Sequence, residues 1–236
     1  MPQEDSDILR ITENDIAAAE TSNGVAIREI DLVAFGTDTG PSKEPVDILL
    51  AIDTSGSMGA GDYPPNRLES AKEAAKMFTR RKVTQNHNDR VGIVGFGGSA
   101  TVMHPLDSDL DKVASSIDKL RITHSGTMIG AALLAASREL RRYTGRRQAI
   151  VLLSDGGDEY DTSKPLEVAR NLKGIRVFAI GMGTLKGGIA KLPHGQQTVF
   201  LNEQLLKQIA IITGGEYLHA PDVPQLQRVY TSLADY

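Results

Sequence analysis

The chain has 236 residues, a formal net charge of −4 and no cysteine. This length suits one compact domain with a sizeable core, or one domain with an appendage. The absence of cysteine excludes disulfides, iron–sulfur clusters and thiolate zinc sites. An acidic balance without a long basic run argues against binding to the backbone of a nucleic acid.

The first residues do not have the pattern of a secretory signal, because they carry acids where such a signal is basic and then apolar. No apolar run approaches the ~20 residues that span a bilayer. We therefore expect no membrane insertion and a cytoplasmic location, or an extracellular one if the chain is a fragment of an exported protein.

Residues 1–45 are interpreted as an N-terminal extension. Val25–Phe35 is rich in β-forming residues and predicts an added strand, and Gly36–Pro45 is a turn-rich linker. The strand would either cover a sheet edge of its own molecule or pair with another chain. Self-association through the extension, with an acid of the tail (Glu4, Asp5 or Asp7) bound by a neighbouring molecule, is a further alternative.

From Val46 onward, short apolar runs alternate with segments of helical spacing. The runs predict five strands: Asp47–Ile52, Val91–Phe96, Thr101–Leu106, Ala149–Leu153 and Val177–Ile180. The helical segments are Arg67–Arg81, Leu110–Leu120, Thr127–Tyr143, Lys164–Leu172, Glu203–Ile212 and Val223–Ala234. This alternation predicts a Rossmann-like, doubly wound α/β domain with a mostly parallel central sheet and helices on both faces. The tight connection Gly97–Gly98–Ser99 predicts one antiparallel hairpin at an edge.

The first predicted strand ends in an aspartate that hydroxyls and glycines follow at once, in the sequence ILLAIDTSGSMGA. The spacing of Asp53, Ser55 and Ser57 lets a tight turn point alternate side chains at one place. Gly56 would supply a backbone conformation that β-branched residues cannot adopt. Loops at the carboxyl ends of such strands converge on ligands, so this turn is a candidate binding site.

Two further loops belong to the same edge. Asp155 follows the strand Ala149–Leu153, and Thr127 begins a predicted helix, where its hydroxyl would cap backbone amides. The combined set contains two carboxylates and three hydroxyls. Such hard oxygen ligands suit Mg²⁺, Mn²⁺ or Ca²⁺, so the sequence predicts a divalent cation site.

These residues, in this order, resemble the metal-ion-dependent adhesion site of the von Willebrand factor type A domain family. The resemblance covers roughly Val46 to Ala234 and places that domain at residues 46–236. It implies a complete site in which Ser55, Ser57 and Thr127 bind the ion directly. Asp53 and Asp155 would act partly through water, and a Glu or Asp carboxylate of a protein partner would fill an open position. Mg²⁺ is the first choice, Mn²⁺ would use the same ligands, and Ca²⁺ fits less well.

Two functions follow from such a site. The first is a non-enzymatic interaction module that captures an acidic side chain of a protein partner through the cation. The alternative is a metal-dependent hydrolase, or a metal-bearing subunit of an enzyme complex. The second function lacks a general acid or base in the sequence, because Ser55 stands where an aspartyl phosphatase has its second aspartate.

Overall fold

The computed structural model describes residues 44–85, 88–123, 126–156, 161–184, 186–193 and 195–236. The predicted strand Val25–Phe35 and the rest of residues 1–43 lie outside the described residues. The N-terminal extension, self-association through it and the domain limits 46–236 therefore stay predictions.

A six-stranded sheet forms the centre of the described chain, with the strand order β3-β2-β1-β4-β5-β8. Its strands are β1 (Val46–Asp53), β2 (Arg90–Phe96), β3 (Ala100–Asp107), β4 (Arg147–Ser154), β5 (Ile175–Met182) and β8 (Tyr217–Ala220). Neighbouring strands are parallel except for β2 and β3, which form the predicted antiparallel edge hairpin around Gly97 and Ser99. A separate antiparallel pair consists of β6 (Gly188–Leu192) and β7 (Gly195–Val199).

Helices connect the strands and cover both faces of the sheet. They are α1 (Arg67–Gln85), α2 (Leu110–Ile117), α3 (Ile129–Leu140), α4 (Pro165–Arg170), α5 (Glu203–Thr213) and α6 (Val223–Ala234), with a short 3-10 helix at Gly56–Gly59. Helices α3, α4 and α5 pack on one face, and α1, α2 and α6 pack around the other. The predicted doubly wound α/β fold is confirmed.

The alternation of side chains along β1 explains why both faces are covered. Leu49 and Ala51 join the core beneath α3 and α5, and Ile48 and Leu50 point to the opposite face. Every residue of β1 is buried, as expected for a central strand of a parallel sheet.

Three strands were not predicted: β6, which has only five residues, β7 and β8. β8 has only four residues and lies at the sheet edge beside β5, so its apolar signal is short. In β7, Gly195–Val199, four residues are exposed and one is half-buried, so no apolar pattern marks this strand. Short, exposed strands carry little of the hydrophobic periodicity on which the prediction relied.

No helix in the described ranges is long and apolar enough to span a bilayer. The cytoplasmic location stays a prediction.

Candidate metal centre

The candidate site lies where two neighbouring parallel strands end. Ile52 of β1 is aligned with Leu153 of β4, so Asp53 and Asp155 emerge at the same edge of the sheet. The chain continues from β1 to β2 on one side and returns to β4 on the other. The site thus lies at the point where the strand order reverses, which is the usual ligand position in this architecture.

Asp53 is held rigidly at the end of β1. Its side chain is fully buried, and its Oδ1 accepts a hydrogen bond of 2.8 Å from the backbone N–H of Ser55. Its Oδ2 accepts a hydrogen bond of 2.6 Å from Oγ of Ser154. Sequence reasoning had not selected Ser154, which fixes the second oxygen and also accepts a hydrogen bond from the N–H of Gly156.

Ser55 and Ser57 converge because the chain turns into a 3-10 helix immediately after Ser55. Their Oγ atoms lie 2.9 Å apart. The hydroxyl of Ser57 also lowers the pKa of Asp155 by interacting with its carboxylate, so the first loop and the loop after β4 act on one another. The expectation about Gly56 was wrong, because this residue begins a right-handed 3-10 helix that needs no glycine-specific conformation.

Thr127 is brought to this edge by its loop. The N–H of Thr123 donates to the carbonyl of Thr54, and the N–H of Met128 donates to the carbonyl of Gly97. Both acceptors directly follow strands of the central sheet. Between these anchors, Thr127 is only 6 % exposed.

Thr127 was expected to cap the following helix, and that expectation was wrong. Helix α3 begins at Ile129 with Met128 at the N-cap position. The N–H of Ile129 donates instead to Oδ2 of Asp161, at 3.0 Å. The side chain of Asp161 therefore supplies the cap, and the hydroxyl of Thr127 does not.

Burial dominates the electrostatics of the two aspartates, and at Asp53 the negative charge of Asp155 adds to its effect. Burial, followed by the negative charge of Asp155, raises the pKa of Asp53 to about 7. Burial likewise raises the pKa of Asp155, although hydrogen bonding from Ser57 and the charge of Arg67 oppose the rise. Two buried carboxylates on the same edge of the sheet favour any nearby positive charge.

Arg67 is the second residue that sequence reasoning missed. Its side chain is fully buried, and its Nη1 donates to Oδ2 of Asp155 at 2.8 Å. The same guanidinium makes a two-pronged contact with Asp62, from Nε to Oδ1 at 2.8 Å and from Nη2 to Oδ2 at 2.7 Å. One signal was available, since Arg67 is the first residue of α1, where the helix dipole disfavours a cation.

The chemistry of the donor set fits a hard divalent cation. Asp53 is a buried carboxylate, and no basic side chain in the described ranges forms an ion pair with it. Those ranges also contain no group of three or more His, Asp or Glu side chains that could hold a metal ion by themselves. A cation at this edge would therefore depend on hydroxyl ligands beside the two carboxylates, which is the oxygen-rich set that Mg²⁺ accepts.

Comparison with known proteins shows similarity to the von Willebrand factor type A domain and to UPF0353 proteins. Residues 48–158 match the family model for the von Willebrand factor type A domain. A UPF0353 protein of Mycolicibacterium gilvum is 31 % identical over 202 residues, which are 80 % of this chain and 59 % of the relative. A UPF0353 protein of Nocardia farcinica is 31 % identical over 230 residues, covering 86 % of this chain and 67 % of the relative.

Among solved structures, the conserved hypothetical protein BatB from Bacteroides thetaiotaomicron is similar with a TM-score of 0.70 and 27 % sequence identity. The match covers 80 % of this chain and 97 % of that one. The present chain spans about 59 % of the length of the first UPF0353 relative, so it corresponds to part of that protein.

Proposed function

Because the chain belongs to the UPF0353 protein family and carries a von Willebrand factor type A domain, we propose that it is a non-enzymatic interaction module. In this proposal, a divalent cation at the carboxyl ends of β1 and β4 captures an acidic side chain of a protein partner. Domains of this type are typically protein-interaction modules, and the cation and the acidic partner are the specific parts of the proposal.

One observation carries the proposal: the fully buried carboxylate of Asp53 lacks a basic partner among the described residues and lies beside converging hydroxyls. A buried negative charge without a counter-charge costs folding free energy. Burial accordingly raises the pKa of Asp53. A structural role in a turn would not require this cost. Binding of a cation would offset it directly.

The proposed ligand set is the one that the resemblance to the family's metal-ion-dependent adhesion site implies. Ser55, Ser57 and Thr127 would bind the ion through hydroxyl oxygens, with Asp53 and Asp155 acting partly through water. Mg²⁺ is the favoured ion because it keeps several waters and accepts few carboxylates, Mn²⁺ can use the same ligands, and Ca²⁺ is less suited. When bound, the ion would supply an open position for the carboxylate of a Glu or Asp on the partner.

The alternative of a metal-dependent hydrolase, or of a metal-bearing subunit of an enzyme complex, receives less support from the side chains. The described residues include one row of Ser116, His104 and Asp107, with Oγ of Ser116 2.9 Å from Nδ1 of His104. Ser116 is only 3 % exposed and its hydroxyl donates to the carbonyl of Lys112 within α2. These three side chains lie at the edge strand β3, and their contacts pack α2 against that strand.

The proposal is tested by calorimetric titration of chelator-stripped protein with MgCl₂ and with MnCl₂. We expect specific binding that Asp53→Ala abolishes. The control is Asp118→Ala, because Asp118 is an exposed aspartate whose one ion pair among the described residues is with Lys76 at the surface. Such surface pairs contribute about 1 kcal/mol or less, so the control should fold and bind normally.

The partner half of the proposal has its own measurement. Proteins captured by the immobilised chain would be compared with and without chelator, and against Asp53→Ala. Capture that persists undiminished in excess chelator would overturn the role of the cation in partner binding. Binding of Mg²⁺ with turnover of phosphoesters that is lost in Asp53→Ala would favour the hydrolase.

A further inference from the structure

Arg67 occupies an unusual position for a guanidinium. Four of its hydrogen bonds are to oxygen atoms of three residues, namely Asp62, Asp155 and the carbonyl of Val199. Its side chain has no exposed surface, and the side chains of Asp62 and Asp155 are only 7 % and 6 % exposed. This is a closed ionic network that excludes solvent screening, so its charges act strongly on one another.

The network reaches the candidate metal centre through one atom. Oδ2 of Asp155 accepts the hydrogen bond from Arg67, and the hydroxyl of Ser57 approaches the same carboxylate. Asp53, the other carboxylate of the site, has no such guanidinium among the described residues. The two carboxylates therefore differ: Asp155 already faces a buried positive charge, and Asp53 does not.

Asp62 competes with Asp155 for contact with the positively charged guanidinium of Arg67. Burial alone would raise the pKa of Asp62, but the hydrogen bonds and the charge of Arg67 outweigh it, so the pKa lies below its ordinary value. The guanidinium is thus shared between a two-pronged contact with Asp62 and a single contact with Asp155. Weakening the first contact would commit Arg67 more fully to the second.

We propose that Arg67 is a positioning residue that limits the cation affinity of the site, because its guanidinium contacts Asp155 and opposes the negative charge of that carboxylate. This inference rests on the proposed function, because it concerns the same cation. Arg67 keeps the site from neutralising a divalent ion by itself. The positive charge that remains on the bound ion is what a partner carboxylate would satisfy.

The proposal predicts opposite effects for the two ends of the network. Arg67→Gln removes the opposing charge, so Mg²⁺ should bind about tenfold more tightly or better. Asp62→Asn removes the negative charge that offsets Arg67, so the guanidinium acts more strongly on Asp155. Mg²⁺ binding should weaken by about threefold or more. Arg67→Lys keeps the charge, and its Mg²⁺ affinity should stay within about threefold of the unmodified chain.

The experiment is calorimetric titration of the full chain and each variant with MgCl₂, at one pH and one ionic strength. The matched control is Arg90→Gln. Arg90 makes the same kind of two-pronged contact, with buried Asp47, at the opposite end of β1. The structural effect of removing an arginine from its contact with a buried aspartate would appear in this control as well, and we expect no change in its Mg²⁺ affinity.

The outcomes separate this inference from the proposed function. If the unmodified chain binds Mg²⁺ and Arg67→Gln binds equally or more weakly, the role of Arg67 is overturned and the cation site stands. If circular dichroism shows that Arg67→Gln does not fold, Asp62→Asn decides by the direction of its change. Binding by Arg67→Gln alone would support Arg67 as a suppressor of affinity, and binding by none of the chains would overturn both proposals.

Discussion

At the scale of single residues, Thr127 is the candidate ligand whose role can be isolated most cleanly. Its loop is anchored through Thr123 and Met128, and Asp161 satisfies the first amide of α3, so the fold does not use Thr127 as a cap. Thr127→Val removes the hydroxyl at nearly constant volume. We expect the dissociation constant for Mg²⁺ to rise at least about tenfold, because one direct oxygen ligand is lost.

Calorimetric titration measures this change, with Thr123→Val as the control. The hydroxyl of Thr123 donates to the carbonyl of Thr54 at 3.0 Å, so the control loses a hydrogen bond worth about 1 kcal/mol of folding free energy. Its Mg²⁺ affinity should be unchanged. If Thr127→Val bound Mg²⁺ as tightly as the unmodified chain, Thr127 would not be a ligand.

At the scale of elements, the turn between β4 and the loop that follows is fixed by Gly156. This residue has a φ of +109°, and an added Cβ would lie 2.0 Å from the carbonyl oxygen of Asn202. The N–H of Asn202 donates to the carbonyl of Asp155, so the start of α5 is tied to the candidate site. Gly156→Ala should lower the free energy of unfolding by about 2–4 kcal/mol, through both the backbone conformation and the clash.

Urea denaturation measures this loss, and Gly145→Ala is the matched control. Gly145 also has a positive φ, of +76°, but an added Cβ there would meet nothing within 4 Å. Only the conformational cost of about 1 kcal/mol should remain. Equal losses in the two variants would contradict a steric role for the contact between Gly156 and Asn202.

Elements with strong apolar patterns were the ones that the sequence could predict. Helix α6 has the predicted bounds, Val223–Ala234, and buried strands such as β1 differ from prediction by a residue at each end. Exposed β7 and the short edge strand β8 lack that pattern and were missed. Hydrophobic periodicity reports burial, so elements that bury little leave little signal.

The candidate site divides in the same way. Asp53, Ser55 and Ser57 are neighbours in the chain, so their spacing alone indicated a shared target. The pairing of Arg67 with Asp155 spans 88 positions and arises only when β1, α1 and β4 are packed together. A local pattern cannot reveal such a contact, although a cation at the start of a helix was a clue that it has a partner elsewhere.

At the scale of the whole molecule, the buried aspartates at the two ends of β1 differ in their ion pairing. Asp47, at the amino end, is fully buried and paired with Arg90 and Arg146, at 2.6 Å and 2.7 Å. Asp53, at the carboxyl end, is equally buried, and no ion pair is found for it among the described residues. The charge of Asp47 is already balanced by its two ion pairs. Asp53 lacks a counter-charge among the described residues, and a bound cation would supply it.

The missing counter-charge of Asp53 among the described residues predicts that the stability of the whole domain depends on the cation. An ion that binds only the folded chain stabilises it by about 2.7 kcal/mol at one hundred times its dissociation constant. For a chain of this length, this corresponds to a rise in Tm of roughly 5–10 °C. Thermal unfolding would be followed in MgCl₂ and in chelator, with KCl at equal ionic strength to exclude screening, since screening acts on all exposed charges. The Tm of Asp53→Ala should not respond to Mg²⁺, and an equal rise in that variant would place the stabilising ion elsewhere on the molecule.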